Sequence, residues 1–118
     1  MARLDLVAIK KVAKRYGSER ALAGVSVEFR GGSMTALLGH NGAGKTTLLG
    51  VVSTLVRPSQ GAVSYRAGGQ ELTGETVRRE IGLLAHASLC YAELTAVENL
   101  ELFAGLYDIT DADPHAML

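Results

Sequence analysis

The sequence predicts an α/β fold in which a short strand runs through a glycine-rich loop into a helix, with antiparallel strands ahead of it. Three observations carry that expectation. The stretch Gly39-His40-Asn41-Gly42-Ala43-Gly44-Lys45-Thr46-Thr47 fits G-x-x-x-x-G-K-[ST], and it lies between an apolar run of strand length and a helical run. Val25, Val27 and Phe29 alternate with Ser26, Glu28 and Arg30, the period of a half-buried strand. Thr95-Ala96-Val97-Glu98 reads as a capping box, opening a segment whose apolar residues recur at helical spacing.

Taken in order, Leu4 to Tyr16 reads as an extended segment with a basic middle (Lys10, Lys11, Lys14, Arg15), a solvated strand face. Gly17-Ser18 turns the chain into the alternating strand, and Gly31-Gly32 turns it again into Ser33–Leu38, the strand that feeds the loop. Lys45 to Val56 reads as a buried helix ended by Arg57-Pro58, since proline lacks an N–H and restricts the residue before it. Gly61 to Tyr65 is a strand, Ala67-Gly68-Gly69 a turn, and Thr76 to Glu80 a short helical turn. Ile81 to Ala85 reads as a buried strand of a parallel sheet, apolar on both faces. After the capping box, Val97, Leu100, Phe103, Ala104 and Tyr107 form one apolar stripe, and Pro114 ends any helix in the polar tail. Asp111 and Asp113 are cap or surface residues, because no third acidic ligand stands nearby at a fixed spacing.

The loop's chemistry follows from its residues. A polyphosphate is best held by many inward-pointing backbone N–H groups, which needs glycine where a Cβ would block approach; Gly39, Gly42 and Gly44 supply that freedom, with His40, Asn41 and Ala43 between them. A helix starting near Lys45 adds unpaired N–H groups and the positive end of its dipole. The Lys45 ammonium then reaches the β- and γ-phosphates, the Thr46 hydroxyl is placed to ligate Mg²⁺, and Thr47 adds a donor toward the α-phosphate.

Composition narrows the alternatives. The 118 residues suffice for one domain, and 12 basic against 12 acidic residues suggest no electrostatic grip on nucleic acid or an anionic membrane. The longest apolar stretch, Leu48 to Val56, falls far short of the ~20 residues that span a bilayer, and the start of the chain lacks the pattern of a secretory signal. Cys90 is expected to be a small, semi-buried hydrophobe in a reducing compartment.

With these residues laid out, the chain resembles the ATP-binding subunit of ABC transporters. The resemblance runs from about Leu4 to the last residues and rests on several ordered motifs. They are Tyr16-Gly17, Leu22-Ala23-Gly24-Val25-Ser26, the loop from Leu38 to Leu49, Arg57-Pro58-Ser59-Gln60-Gly61, Ile81-Gly82-Leu83-Leu84, and Glu93-Leu94-Thr95-Ala96-Val97-Glu98-Asn99-Leu100. It implies a P-loop NTPase fold of the ABC type, with an antiparallel β subdomain and part of the parallel core sheet. Residues 1–118 would form the N-terminal half of a single ATP-binding domain. Tyr16 would stack on the adenine ring, and His86 stands where the family usually has a glutamine that touches Mg²⁺ and the attacking water. A histidine there also looks like the ATP-binding subunit of the haem exporter used in cytochrome c maturation.

The family's apolar run ending in Asp-Glu, its Leu-Ser-Gly-Gly signature and its later switch histidine are not encoded in these residues. The resemblance therefore implies ATP and Mg²⁺ as ligands, but no turnover by the 118 residues alone. It also implies a second ATP-binding subunit, a transmembrane permease docking around His86 to Glu93, a place at the cytoplasmic face of the membrane, and an export function. A soluble ATPase of the same type acting on ribosomes or DNA is the alternative, and would carry a second cassette or a coiled-coil insertion. Ser33–Leu38 is expected to present an unpaired strand edge and to limit solubility.

Overall fold

The computed structural model describes residues 3–84, 90–111 and 113–117. The chain forms two compact units, Met1–Leu83 and Leu84–Leu118. In the first, β1 (Leu6–Tyr16), β2 (Glu19–Arg30), β3 (Gln60–Ala67) and β4 (Gln70–Leu72) make one sheet in the order β2-β1-β3-β4, antiparallel throughout. Helix α1 (Lys45–Val52) packs on β1 and β2, and a short helix, α2 (Glu75–Arg79), follows the sheet. The core joins Ile9, Val12 and Leu22 of the sheet to Leu48 and Val51 of the helix, with Val25, Val27, Phe29, Val52, Val56 and Val63 around them. Burying each such branched side chain contributes about 1.5–3 kcal/mol. The alternation along β2 is as expected: Val25, Val27 and Phe29 are half-buried, and the residues between them are exposed.

A bulge sets the parity of β1. Ile9 and Val12 are three residues apart, a spacing that would send them to opposite faces of a regular strand. Both are nonetheless buried in one core, because the ladder slips between them and Lys11 takes a positive φ of 48°. The extra residue puts Lys10 and Lys11 into solvent and returns Val12 to the inside. The Lys11 amide donates to the Ser26 hydroxyl at 2.9 Å, which satisfies a group that the ladder has lost. On the other side of the sheet order, the Tyr65 hydroxyl of β3 donates to the Val52 carbonyl at 2.7 Å, closing one of the open acceptors at the end of α1. Burial pushes that phenol above its ordinary pKa.

Three expected elements differ. Helix α1 ends at Val52, four residues short of Val56, because Thr54 adopts a left-handed φ of 71° and the Val56 amide folds back to the Gly50 carbonyl at 3.0 Å. Ser33–Leu38 is not a strand; its residues are exposed, Leu38 at 88%. Residues 81–84 of the Ile81–Ala85 run are likewise irregular, and Ala85 lies outside the described residues. A strand exists only as one member of a pair, and among the described residues no segment pairs with either run.

In the second unit, α3 (Ala96–Leu106) starts at the expected capping box. The Glu98 amide donates to the Thr95 hydroxyl at 3.2 Å, and the Thr95 amide donates to the Glu98 carboxylate at 3.1 Å. Val97, Leu100, Phe103 and Ala104 are half-buried as a stripe, whereas Tyr107, at the helix end, is exposed. Pro114 begins a 3₁₀ turn rather than ending a helix, and Asp113 caps it by accepting from the His115 amide at 3.0 Å. Cys90 is exposed, not semi-buried.

The buried residue of α3 is polar. Asn99 accepts from the Tyr91 amide at 2.8 Å and donates to the carbonyls of Tyr91, Leu94 and Thr95 at 3.1, 3.3 and 2.9 Å, tying the preceding loop to the helix. Asn99→Ala strands these backbone groups, so it should destabilise the unit by about 2 kcal/mol. Hydrogen exchange checks this: the Tyr91 amide should lose its protection in the variant, and unchanged exchange there would refute the role.

Candidate functional site

A cleft of about 310 Å³ opens in the first unit between the β1–β2 hairpin and the start of α1. Its size is at the lower end of ligand clefts. Tyr16, Glu19, Arg20 and Ala21 line one side, and Asn41, Gly42, Gly44, Lys45, Thr46 and Thr47 line the other. The hairpin explains the first side. A two-residue turn at Gly17-Ser18 pairs Tyr16 with Glu19, so β2 returns its first residues alongside the ring.

Gly44 explains why the two sides meet. It caps α1 with a left-handed φ of 94°, and a Cβ there would lie 2.5 Å from the Ala21 carbonyl oxygen and 3.0 Å from Leu22. Only a residue without a side chain lets the helix start against β2 at this height. No side chain caps α1, and Lys45, Thr46 and Thr47 of its first turn line the cleft at the positive end of the helix dipole.

The loop closes on its own lysine. The Lys45 ammonium donates to the Gly39 carbonyl and, at 2.8 Å, to the His40 carbonyl, which also accepts from the Ala43 amide at 3.1 Å. His40 Nδ1 lies 2.8 Å from the Asn41 carbonyl. Gly39, His40 and Ala43 do not line the cleft, whereas Tyr16, Asn41, Gly42, Gly44, Lys45, Thr46 and Thr47 are brought together around it. Gly39 differs from the other two loop glycines in what it supplies. Its φ is not positive, unlike those of Gly42 and Gly44, and what it supplies is room: a Cβ would stand 3.0 Å from that of Ala43 and 3.7 Å from the Lys45 Nζ.

The half-exposed Tyr16 ring carries the Lys14 ammonium 5.2 Å from its centroid. His86 lies outside the described residues. Glu19, Arg20 and Ala21 are cleft residues that no motif in the sequence marks; the pairing rule for a two-residue hairpin, applied to Tyr16-Gly17-Ser18-Glu19, points to the first of them.

Comparison with known proteins gives concordant matches. The daunorubicin resistance ATP-binding protein DrrA3 of Streptomyces coeruleorubidus is 39% identical over 103 residues, covering 87% of this chain and 33% of its own length. A solved ATP-binding subunit of an ABC transporter superposes with a TM-score of 0.77 at 33% identity, over 90% of this chain and 44% of that one. A dimeric, post-hydrolysis state of the ATP-binding cassette MJ0796, bound to ADP and Pi, superposes with a TM-score of 0.68 at 27% identity, over 91% of this chain and 49% of that one. The chain thus spans about a third of the resistance protein and under half of each solved subunit. The fold is that of an ABC-type nucleotide-binding domain. The family model described as ABC transporter matches residues 22–117, most of the chain, and with the phosphate-loop geometry and these likenesses it shows that the chain belongs to the ABC transporter family.

Proposed function

We propose that this chain is the phosphate-loop half of an ABC ATP-binding domain and holds ATP between Tyr16 and the start of α1. The observation that carries the reading is the cleft itself, which an aromatic ring borders on one side and a glycine-rich loop leading into an uncapped helix N-terminus borders on the other. In this reading the ring takes the base by stacking, worth roughly 1–3 kcal/mol and tolerant of base identity. The amides of the loop and first helical turn take the phosphates.

Lys45 has a particular part. Its ammonium already rests on two carbonyls, and an arriving triphosphate offers charged oxygens in their place, so the loop exchanges an internal tie for a ligand. The donor set also suits Mg²⁺. Among the described residues no group of three or more His, Cys, Asp or Glu side chains forms a metal cage. Thr46, at the helix start, is exposed and offers a single hydroxyl to the cleft, which fits an ion that keeps most of its ligands as phosphate oxygens and waters. The metal would neutralise charge on the phosphates.

Glu19 is the carboxylate bordering the cleft, and its pairing with Tyr16 places it at the ring end, away from the phosphate loop. The isolated chain should therefore bind Mg-ATP without hydrolysing it. Calorimetry combined with phosphate release tests this: one binding event with no release is expected, and either absent heat or Lys45-dependent release would overturn it.

In the complete assembly the proposed role is to power export through a transmembrane permease, with a second ATP-binding subunit, at the cytoplasmic face of the membrane. The dimeric cassette and the daunorubicin resistance relative support this. The resistance relative favours a general export reading over one specific for haem and cytochrome c maturation. Among the described residues no helix is long and apolar enough to cross a membrane, so the chain itself supplies no such span there.

A further inference from the structure

We propose that Lys14 is a positioning residue for the Tyr16 ring, a cation fixed over the ring that holds it for the base. The proposal rests on the stacking role assigned to Tyr16 above. Tyr16 ends β1, where the strand gives way to the turn, and its side chain is 51% exposed. A ring so placed loses freedom when it stacks, and affinity rises if something has already restrained it.

Lys14 is suited to that work. It lies two residues earlier on β1, and its Nζ stands 5.2 Å from the ring centroid, within cation–π range. The same ammonium donates to the Arg57 carbonyl at 2.9 Å. That carbonyl is a stiff anchor, because Pro58 restricts Arg57 to extended backbone. The segment after it is also stitched to β1, with the Ser59 amide on the Ala13 carbonyl at 2.8 Å and the Arg15 amide on the Ser59 hydroxyl at 3.1 Å. The charge is thus held at its head by the loop after α1 and at its root by β1. Lys14 does not border the cleft, so it acts through the ring and not on the nucleotide.

The test titrates Mg-ATP and magnesium tripolyphosphate into the chain and into Lys14→Gln, Lys14→Arg, Tyr16→Ala and the Lys14→Gln/Tyr16→Ala double variant. Glutamine removes the charge and retains an N–H donor on a side chain one bond shorter. Lys14→Gln should weaken ATP binding about threefold, leave tripolyphosphate binding unchanged, and add nothing in the Tyr16→Ala background; Lys14→Arg should restore ATP affinity. Equal weakening of ATP and tripolyphosphate would overturn the proposal, as would the same loss with and without the ring, or ATP affinity unchanged in Lys14→Gln. A large loss in Tyr16→Ala beside a silent Lys14→Gln removes the positioning role alone. A silent Tyr16→Ala removes the stacking reading itself.

Discussion

Lys45→Ala is expected to weaken Mg-ATP binding by on the order of 100-fold. Hydrogen bonds to a charged partner are worth about 1.5–3 kcal/mol each, and the ammonium has two carbonyl ties to exchange for phosphate oxygens, so the loss should reach about 3 kcal/mol. The fold should survive, because Lys45 contributes no side chain to the core of Ile9, Val12, Leu22, Leu48 and Val51. Calorimetry with ATP and with tripolyphosphate should show the same fractional loss, since the lysine addresses phosphates and not the base. Undiminished affinity in a folded variant would remove the phosphate loop from the proposed site.

How much of this was legible in the sequence depends on how local each determinant is. The phosphate loop and the capping box of α3 are contiguous patterns whose hydrogen bonds close within a few residues, and both stand where they were read. The alternation along β2 was legible for the same reason. The bulge in β1 was not: Lys10-Lys11 looks like ordinary strand, and only the demand that Ile9 and Val12 share one core reveals the slip. The strands expected at Ser33–Leu38 and Ile81–Ala85 had the right composition, but pairing is a property of two segments, and neither has a neighbour among the described residues. The end of α1 was misplaced because Thr54 takes a conformation that a β-branched residue seldom adopts. Within the site, contiguity gave the loop, while Arg20 and Ala21 emerged only when Gly44 docked the helix on β2.

Gly61→Ala should be the most damaging single methyl in the sheet, costing more than about 3 kcal/mol. Gly61 has a φ of 80°, and a Cβ built on it would stand 2.3 Å from the Lys11 carbonyl oxygen and 2.5 Å from that of Lys10. These are backbone atoms of the bulge, which cannot rotate away as a side chain can. Part of the cost is the left-handed conformation itself, and Gly68→Ala isolates that part. Gly68 has a φ of 58° with nothing within 4 Å of its would-be Cβ, so it should lose only about 1 kcal/mol. Urea unfolding of the two variants therefore measures the fit of β3 against the bulge as a difference, and equal losses would show that the close approach carries no energy. If the larger loss is found, the consequence extends to the cleft. The bulge sets which face of β1 turns inward, and moving it displaces the strand that carries Tyr16 past the loop it must face.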